Sequence, residues 1–207
     1  MAASGMEETV MDKKHAIPYA DDRPRGEKRV LERYNALKLG WLHDSIHFIL
    51  LSLALFILFR YIIGFAIVGG DSMLPNLRDG EMVVYLRIVP EYRPGDVISM
   101  RVPAGEYYVK RVVAVEGDVV ELRDGQLLVN GTAPETDWGV GMTDPETGAV
   151  IYPYAVRPNN VFVLGDNREV SMDSRTFGEV NLRQIKGKIL LQIGSDGIRL
   201  TDRGQKE

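Results

Sequence analysis

Three short segments carry residue types that acyl-transfer chemistry needs. Val68-Gly69-Gly70-Asp71-Ser72-Met73-Leu74-Pro75 offers a serine. The glycines before it let the backbone come close to a ligand. Pro75 fixes a turn just after it. Lys110 sits in Tyr107-Tyr108-Val109-Lys110-Arg111-Val112-Val113-Ala114-Val115, a strand-like run. Alternate strand residues share a face. Lys110 is therefore expected beside Tyr108, Val112 and Ala114, with Arg111 on the other side. A lysine held against apolar side chains loses basicity, because burial disfavours the ammonium. Its neutral amine could then serve as a base toward a serine hydroxyl. The third segment, Gly165 to Arg175, follows the apolar run Val161 to Leu164 and is dense in hydrogen-bonding groups. Asp173 and Arg175 are two apart and could pair, pinning the loop. Each segment also has a plainer reading: a linker turn, an edge lysine that deters aggregation, and a structural polar loop.

Elimination narrows the chemistry. There is no cysteine, which excludes disulfides, thiolate catalysis and cysteine-ligated metals. The three histidines are His15, His43 and His47. All precede or lie within a long apolar segment. The part of the chain beyond it has none, so it can hold neither a Ser-His-Asp triad nor a histidine-ligated metal. Asp166, Asn167 and Asp173 lack calcium-loop spacing. No metal or cofactor is expected. The net charge of -4 argues against nucleic-acid binding through a general basic field.

The elements that must position these residues follow from patterning. Ile46 to Ile63 is apolar nearly all round, broken only by His47, Ser52 and Arg60. As a helix it would run roughly 27 Å at ~1.5 Å per residue, against a hydrocarbon core of about 30 Å. It reads as an uncleaved single-span anchor over 45–68. Arg23, Arg25, Lys28, Arg29, Arg33 and Lys38 crowd its N-terminal side, which the positive-inside rule places in the cytoplasm. Residues 1–44 then form a cytoplasmic tail, with a short helix from about Gly26 to Leu42. Residues 69–207 form one extracytoplasmic domain. That domain reads as mainly β, with strands at Met82 to Ile88, Asp96 to Arg101, Tyr107 to Val115 and Val161 to Leu164. Asp124-Gly125 between Val119 to Leu122 and Gln126 to Val129 predicts a hairpin. Residues 131–158 read as a long excursion. Asn130-Gly131-Thr132 fits a glycosylation acceptor but reads as a plain turn.

The same segments, in order after the anchor, resemble the boxes of type I signal peptidases, the bacterial leader peptidase family. Gly70-Asp71-Ser72-Met73-Leu74-Pro75 is similar to the nucleophile box, and Tyr108-Val109-Lys110-Arg111-Val112-Val113 to the lysine box. Arg93-Pro94-Gly95-Asp96-Val97-Ile98 is similar to the intermediate strand motif. Gly165-Asp166-Asn167 with Ser171-Met172-Asp173-Ser174-Arg175 is similar to the last box.

The resemblance implies a signal-peptidase/LexA-like β-fold catalytic domain behind one transmembrane helix. It implies Ser72 as nucleophile and Lys110 as general base, the Ser-Lys variant of triad logic. By the same resemblance Ser171 orients the Lys110 amine, Asp173 and Arg175 form a supporting ion pair, and the Ser72 N–H serves the oxyanion. Gly70 and Asp71 support the nucleophile; Met73, Pro75 and Tyr108 contact substrate; Met73 and Leu74 touch lipid or substrate. Gly70 stands where some members have an assisting serine, so the second oxyanion donor is unassigned. Asn76 stands where threonine is usual, and Glu81 where aspartate is common. The implied substrates are signal peptides of exported preproteins emerging from the secretion machinery, cut after a small-x-small sequence. The implied location is the bacterial plasma membrane, with the lipid bilayer as a partner and no nucleic acid. The rival reading is a specialised or non-catalytic relative serving one client or assembly system.

Overall fold

The computed structural model describes residues 24–102, 105–136, 138–146 and 150–201. The expected tail up to residue 23 lies outside them. Helix α1 spans Arg25–Ile57 and runs into one π-helical turn, Leu58–Ile62. Pro24 stands at its start, where a missing N–H costs nothing, and Glu27 lies in the first turn. The short helix and the anchor expected from the sequence are one continuous element. Arg25–Ile62 is long and apolar enough to cross a membrane.

The helix does not reach residue 68. Ile63–Ile67 forms strand β1 instead. Its partner is β2, Met82–Leu86, in the register Ile63↔Leu86 to Ile67↔Met82. Pairing of β-branched and aromatic residues across strands outweighs continued helix here. By packing, the chain divides between Ser52 and Leu53, and all strands belong to the second unit.

The remaining strands are β3 (Val97–Arg101), β4 (Tyr107–Val115), β5 (Val119–Arg123), β6 (Gln126–Val129), β7 (Tyr154–Ala155), β8 (Asn160–Leu164), β9 (Val180–Asn181), β10 (Ile185–Gly194) and β11 (Gly197–Leu200). The main sheet runs β1-β2-β10-β3-β4-β8-β9, with β11 on β10, and a second sheet runs β6-β5-β7. The expected β-rich architecture and the Asp124-Gly125 hairpin are present. Strands β1, β7, β9, β10 and β11 were not read from the sequence. Asn130 lies in a turn, its side-chain Nδ2 donating to Asp118 Oδ1 at 2.8 Å and its side-chain Oδ1 accepting from the Val119 N–H at 2.9 Å.

The register of β4 against β8 shifts between Val112 and Ala114, pairing Val112↔Val163 and then Ala114↔Phe162. Val113 is the extra residue of a bulge, which breaks the two-residue alternation. Tyr108 and Val112 pack with Ile98 and Met100. Val113 and Ala114 pack together with Val120, Leu127 and Phe162. Ala114 is therefore not on the Lys110 face, contrary to simple alternation.

The β1-β2-β10-β11 region has one face in the core, with Val83, Tyr85 and Ile189 buried. Directly paired residues share a face. The outer face carries two apolar rows. One is Phe65-Val84-Leu191-Leu200, the other Ile67-Met82-Ile193-Ile198. Ile67, Ile198 and Leu200 are each more than two-thirds exposed, at 75%, 69% and 74%.

Phe162 is fully buried between the rings of Tyr152 and Tyr154. Truncation to alanine should cost about 3–5 kcal/mol. Urea unfolding of Phe162→Ala in detergent checks this.

Candidate active site

Strand β8 pairs β4 only from Arg111 to Val115. The preceding stretch of β4 is left with an edge at which two loops meet it. One is the segment after β1 that carries Ser72, and the other is the loop after β8. Gly70 adopts a left-handed φ of 79°, which only glycine takes without strain. Its N–H donates to Asp79 Oδ1 at 2.8 Å, turning the chain toward β4. The second loop crosses at Gly165, where a Cβ would lie 2.1 Å from Ser171 Oγ and 2.5 Å from the Ser72 carbonyl oxygen. Glycine is required there by space.

The contact at the centre is direct. Lys110 Nζ donates to Ser72 Oγ at 2.6 Å. Lys110 is 3% exposed although no carboxylate among the described residues bonds it directly. Burial lowers its pKa from 10.5 to about 8; the nearby acids Asp173 and Asp166 oppose the shift, and Arg175 assists it. Burial prevails because both acids are already committed. Asp173 receives Arg175 Nε at 2.9 Å on Oδ1 and Arg175 Nη2 at 3.0 Å on Oδ2. It also accepts the N–H groups of Gly165 and Arg175. Asp166 receives Arg111 through both forks, Nε at 2.8 Å and Nη2 at 2.6 Å, and Asn76 Nδ2 at 2.9 Å. Each carboxylate faces a guanidinium, which offsets part of its pull on the amine.

Several expected site residues converge here. Ser72, Lys110, Gly70, Asp71 and Tyr108 line one cleft of about 370 Å³, with Ala66, Val68, Ser99, Val109 and Met172 among the other walls. Asp173 and Arg175 are paired as expected. Ser171 differs. Its Oγ is buried but has no hydrogen-bond partner among the described residues, so the expected bond to Lys110 is not formed. The hydroxyl instead packs over Gly165. Met73 borders the cleft, but it is 1% exposed and packs in the core with Leu77 and Val83. Burial removes it from lipid. Pro75 is exposed and does not line the cleft.

Other residues of the site escaped the sequence reading of roles. Arg111 also donates to the Gly95 carbonyl at 2.9 Å and lies 5.0 Å from the centre of the Trp138 ring. This gives the Arg93-to-Ile98 motif its purpose: it carries the acceptor that aims Arg111. Asn167 donates from its backbone to the Ser72 carbonyl at 3.0 Å and from Nδ2 to the Asp71 carbonyl at 3.2 Å. The available signal was the run Asp166-Asn167-Arg168 placed directly after an apolar strand and a glycine. Among the described residues no cluster of three or more acidic or histidine side chains could hold a metal.

A hydroxyl 2.6 Å from a buried amine can hand its proton to that amine once the amine is neutral. A mainly β domain with a serine and a buried lysine in contact at a cleft fits the class of serine hydrolases. Comparison with known proteins names the family. Residues 41–193 match the family described as signal peptidase, peptidase S26. The chain belongs to that family, as a type I signal peptidase with serine protease activity, and the family's work is removal of signal peptides. Signal peptidase IB of Staphylococcus aureus is 36% identical over 152 residues, covering 65% of this chain and 80% of its own. A probable chloroplastic thylakoidal processing peptidase 2 of Arabidopsis thaliana is 35% identical over 133 residues, covering 58% of this chain and 35% of its own. A solved signal peptidase I from Enterococcus faecalis is 29% identical, covering 49% of this chain and 98% of its own with a TM-score of 0.41.

The lowered pKa has a defined sign. The cost of burying charged Lys110 is fully present below pH about 8 and disappears as pH rises toward 10.5, where the unfolded lysine also loses its proton. Lys110→Met removes the titrating group. The stability of the wild type relative to Lys110→Met should therefore rise between pH 8 and 10.5, as read by urea unfolding across that range.

Proposed function

We propose that the protein is a membrane-anchored endopeptidase in which Ser72 is the nucleophile and Lys110 the general base. The observation that carries this is the 2.6 Å contact between Ser72 Oγ and an amine whose pKa is lowered to about 8. In the neutral form the bond reverses, and the Ser72 O–H donates to the Nζ lone pair. Oγ attacks the scissile carbonyl as Nζ takes the proton. The Ser72 N–H stabilises the resulting oxyanion. The Lys110 ammonium gives its proton to the leaving amine, and an acyl ester remains on Ser72. Lys110 then deprotonates a water, which hydrolyses the ester and frees Ser72.

The substrates are preproteins cut after a small-x-small sequence. A cleft of about 370 Å³ with apolar walls at Ala66, Val68 and Val109 suits small side chains. Arg25–Ile62 is the anchor, with its basic N-terminal flank in the cytoplasm of a bacterium and the β domain outside. The outer sheet face, rather than Met73, meets the bilayer. Its apolar rows are exposed at Phe65, Ile67, Met82, Ile198 and Leu200, polar side chains are absent from them, and β1 follows the anchor helix without a linker.

Purified protein with a small-x-small preprotein tests the dyad. Ser72→Ala and Lys110→Ala should each lower kcat by at least about 10³-fold. Cleavage persisting in either variant overturns the assignment. Below pH about 8 the rate should fall as Lys110 gains its proton, and above it the rate should level off. A rate flat from pH 6 to pH 10 under single-turnover conditions would contradict a titrating lysine.

Photolabelling from lipid in vesicles tests the membrane face. Label is expected at Phe65, Ile67 and Leu200 and absent from Met73. A labelled Met73 with an unmarked sheet face would reverse the reading.

A further inference from the structure

The peptide unit between Asp71 and Ser72 is held from one side only. Its carbonyl accepts from Asn167 Nδ2 at 3.2 Å and from the Leu74 N–H at 3.2 Å. Its N–H, that of Ser72, donates to no group among the described residues. The bond is trans, since the cis bonds lie at Leu74-Pro75 and Tyr152-Pro153. In a planar trans unit the C=O and the N–H point in opposite directions. Whatever fixes the carbonyl therefore aims the N–H. The next peptide unit is held by the same residue, through the Asn167 N–H on the Ser72 carbonyl at 3.0 Å.

Asn167 is suited to this because its own position is over-determined. Asp166 before it is locked by the two forks of Arg111, which extends from β4 beside Lys110. Arg168 after it is buried, with Nε on the Gly165 carbonyl at 3.1 Å and Nη1 on Thr143. Val140 adds main-chain bonds on both sides, donating to the Asp166 carbonyl at 2.7 Å and accepting from the Arg168 N–H at 3.0 Å. The half-exposed Asn167 side chain is thus the reaching end of a rigid frame.

We infer that Asn167 is a positioning residue for the reaction: its amide holds the Asp71–Ser72 peptide so that the Ser72 N–H points at the developing oxyanion. This rests on Ser72 being the nucleophile. Asn167 touches neither substrate nor reacting atoms. It acts through a peptide plane, and it differs from the Asp173–Arg175 pair in leaving the Lys110 amine alone.

Asn167→Ala removes the side-chain bond and keeps the backbone one. It should lower kcat about 10–100-fold, between a small misalignment and complete loss of an oxyanion donor. KM should stay within about threefold, and the pH limb set by Lys110 should stay near 8. A peptide aldehyde, which adds Ser72 Oγ to form a hemiacetal oxyanion, should lose affinity in step with kcat. A non-cleavable peptide of the same sequence should not. Asn167→Asp is nearly isosteric, yet its carboxylate only accepts and faces a carbonyl, so it should lose at least as much as Asn167→Ala. Wild-type kcat in both variants overturns the inference. So does a loss in Asn167→Ala in which the pH limb shifts or the non-cleavable peptide weakens equally, because that marks a general structural role. Ser72→Ala is assayed alongside; an active Ser72→Ala would sink the nucleophile assignment itself, whereas an inactive Ser72→Ala beside fully active Asn167 variants sinks only the role of Asn167.

Discussion

The site depends on keeping an amine dry without surrounding it with unspent negative charge. Lys110 is buried beside two aspartates, and either one alone would favour the ammonium. Arg111 and Arg175 pair with them, each through its planar fork. The same pairs also carry the architecture. Arg111 joins β4 to the loop after β8 and to the Arg93-to-Ile98 turn. Arg175 closes that loop on itself by bonding the Arg168 carbonyl at 2.6 Å. Electrostatic neutrality and loop geometry are thus one set of contacts. Buried pairs of this kind add little net stability, but removing one partner leaves an uncompensated charge. Here that charge would also act on the lysine.

The sheet supplies what the pairs cannot, which is opposite directions for adjacent side chains. Lys110 and Arg111 are neighbours in the chain, and strand alternation sends one to Ser72 and the other to Asp166. The bulge at Val113 then resets the alternation. Both Val113 and Ala114 can pack against Phe162 without disturbing the two residues upstream.

Much of this was legible in the sequence, and the limits have physical causes. Strands β2, β3, β4 and β8 showed because they are β-branched runs between turn residues. Strand β1 did not, because Ile63 to Ile67 continues the apolar composition of the helix, and only pairing with β2 decides its state. Strand β10 is hidden in the sequence because Lys186, Gly187 and Lys188 interrupt its apolar run. Ser72 and Lys110 stand out in the sequence because reactive types are scarce, with no cysteine and every histidine before or within the apolar segment, and Asp173 and Arg175 stand out because they are two apart. Asn167 was passed over because its work is done on two carbonyl oxygens, and backbone partners leave no trace in residue types. The Ser171–Lys110 bond came from resemblance alone, and here the hydroxyl is turned over Gly165 instead.

The two apolar rows on β1, β2, β10 and β11 change how the enzyme's working volume should be counted. On the proposed reading the helix fixes which leaflet the domain serves, and the sheet face fixes how the domain lies there. Encounter with a substrate that is itself inserted in the bilayer then becomes a search within a plane. Rate should follow the surface density of enzyme and preprotein in the membrane rather than their bulk concentrations. Dilution with inert lipid would slow the reaction at constant volume, a kinetic signature that belongs to a sheet surface rather than to the proton transfer itself.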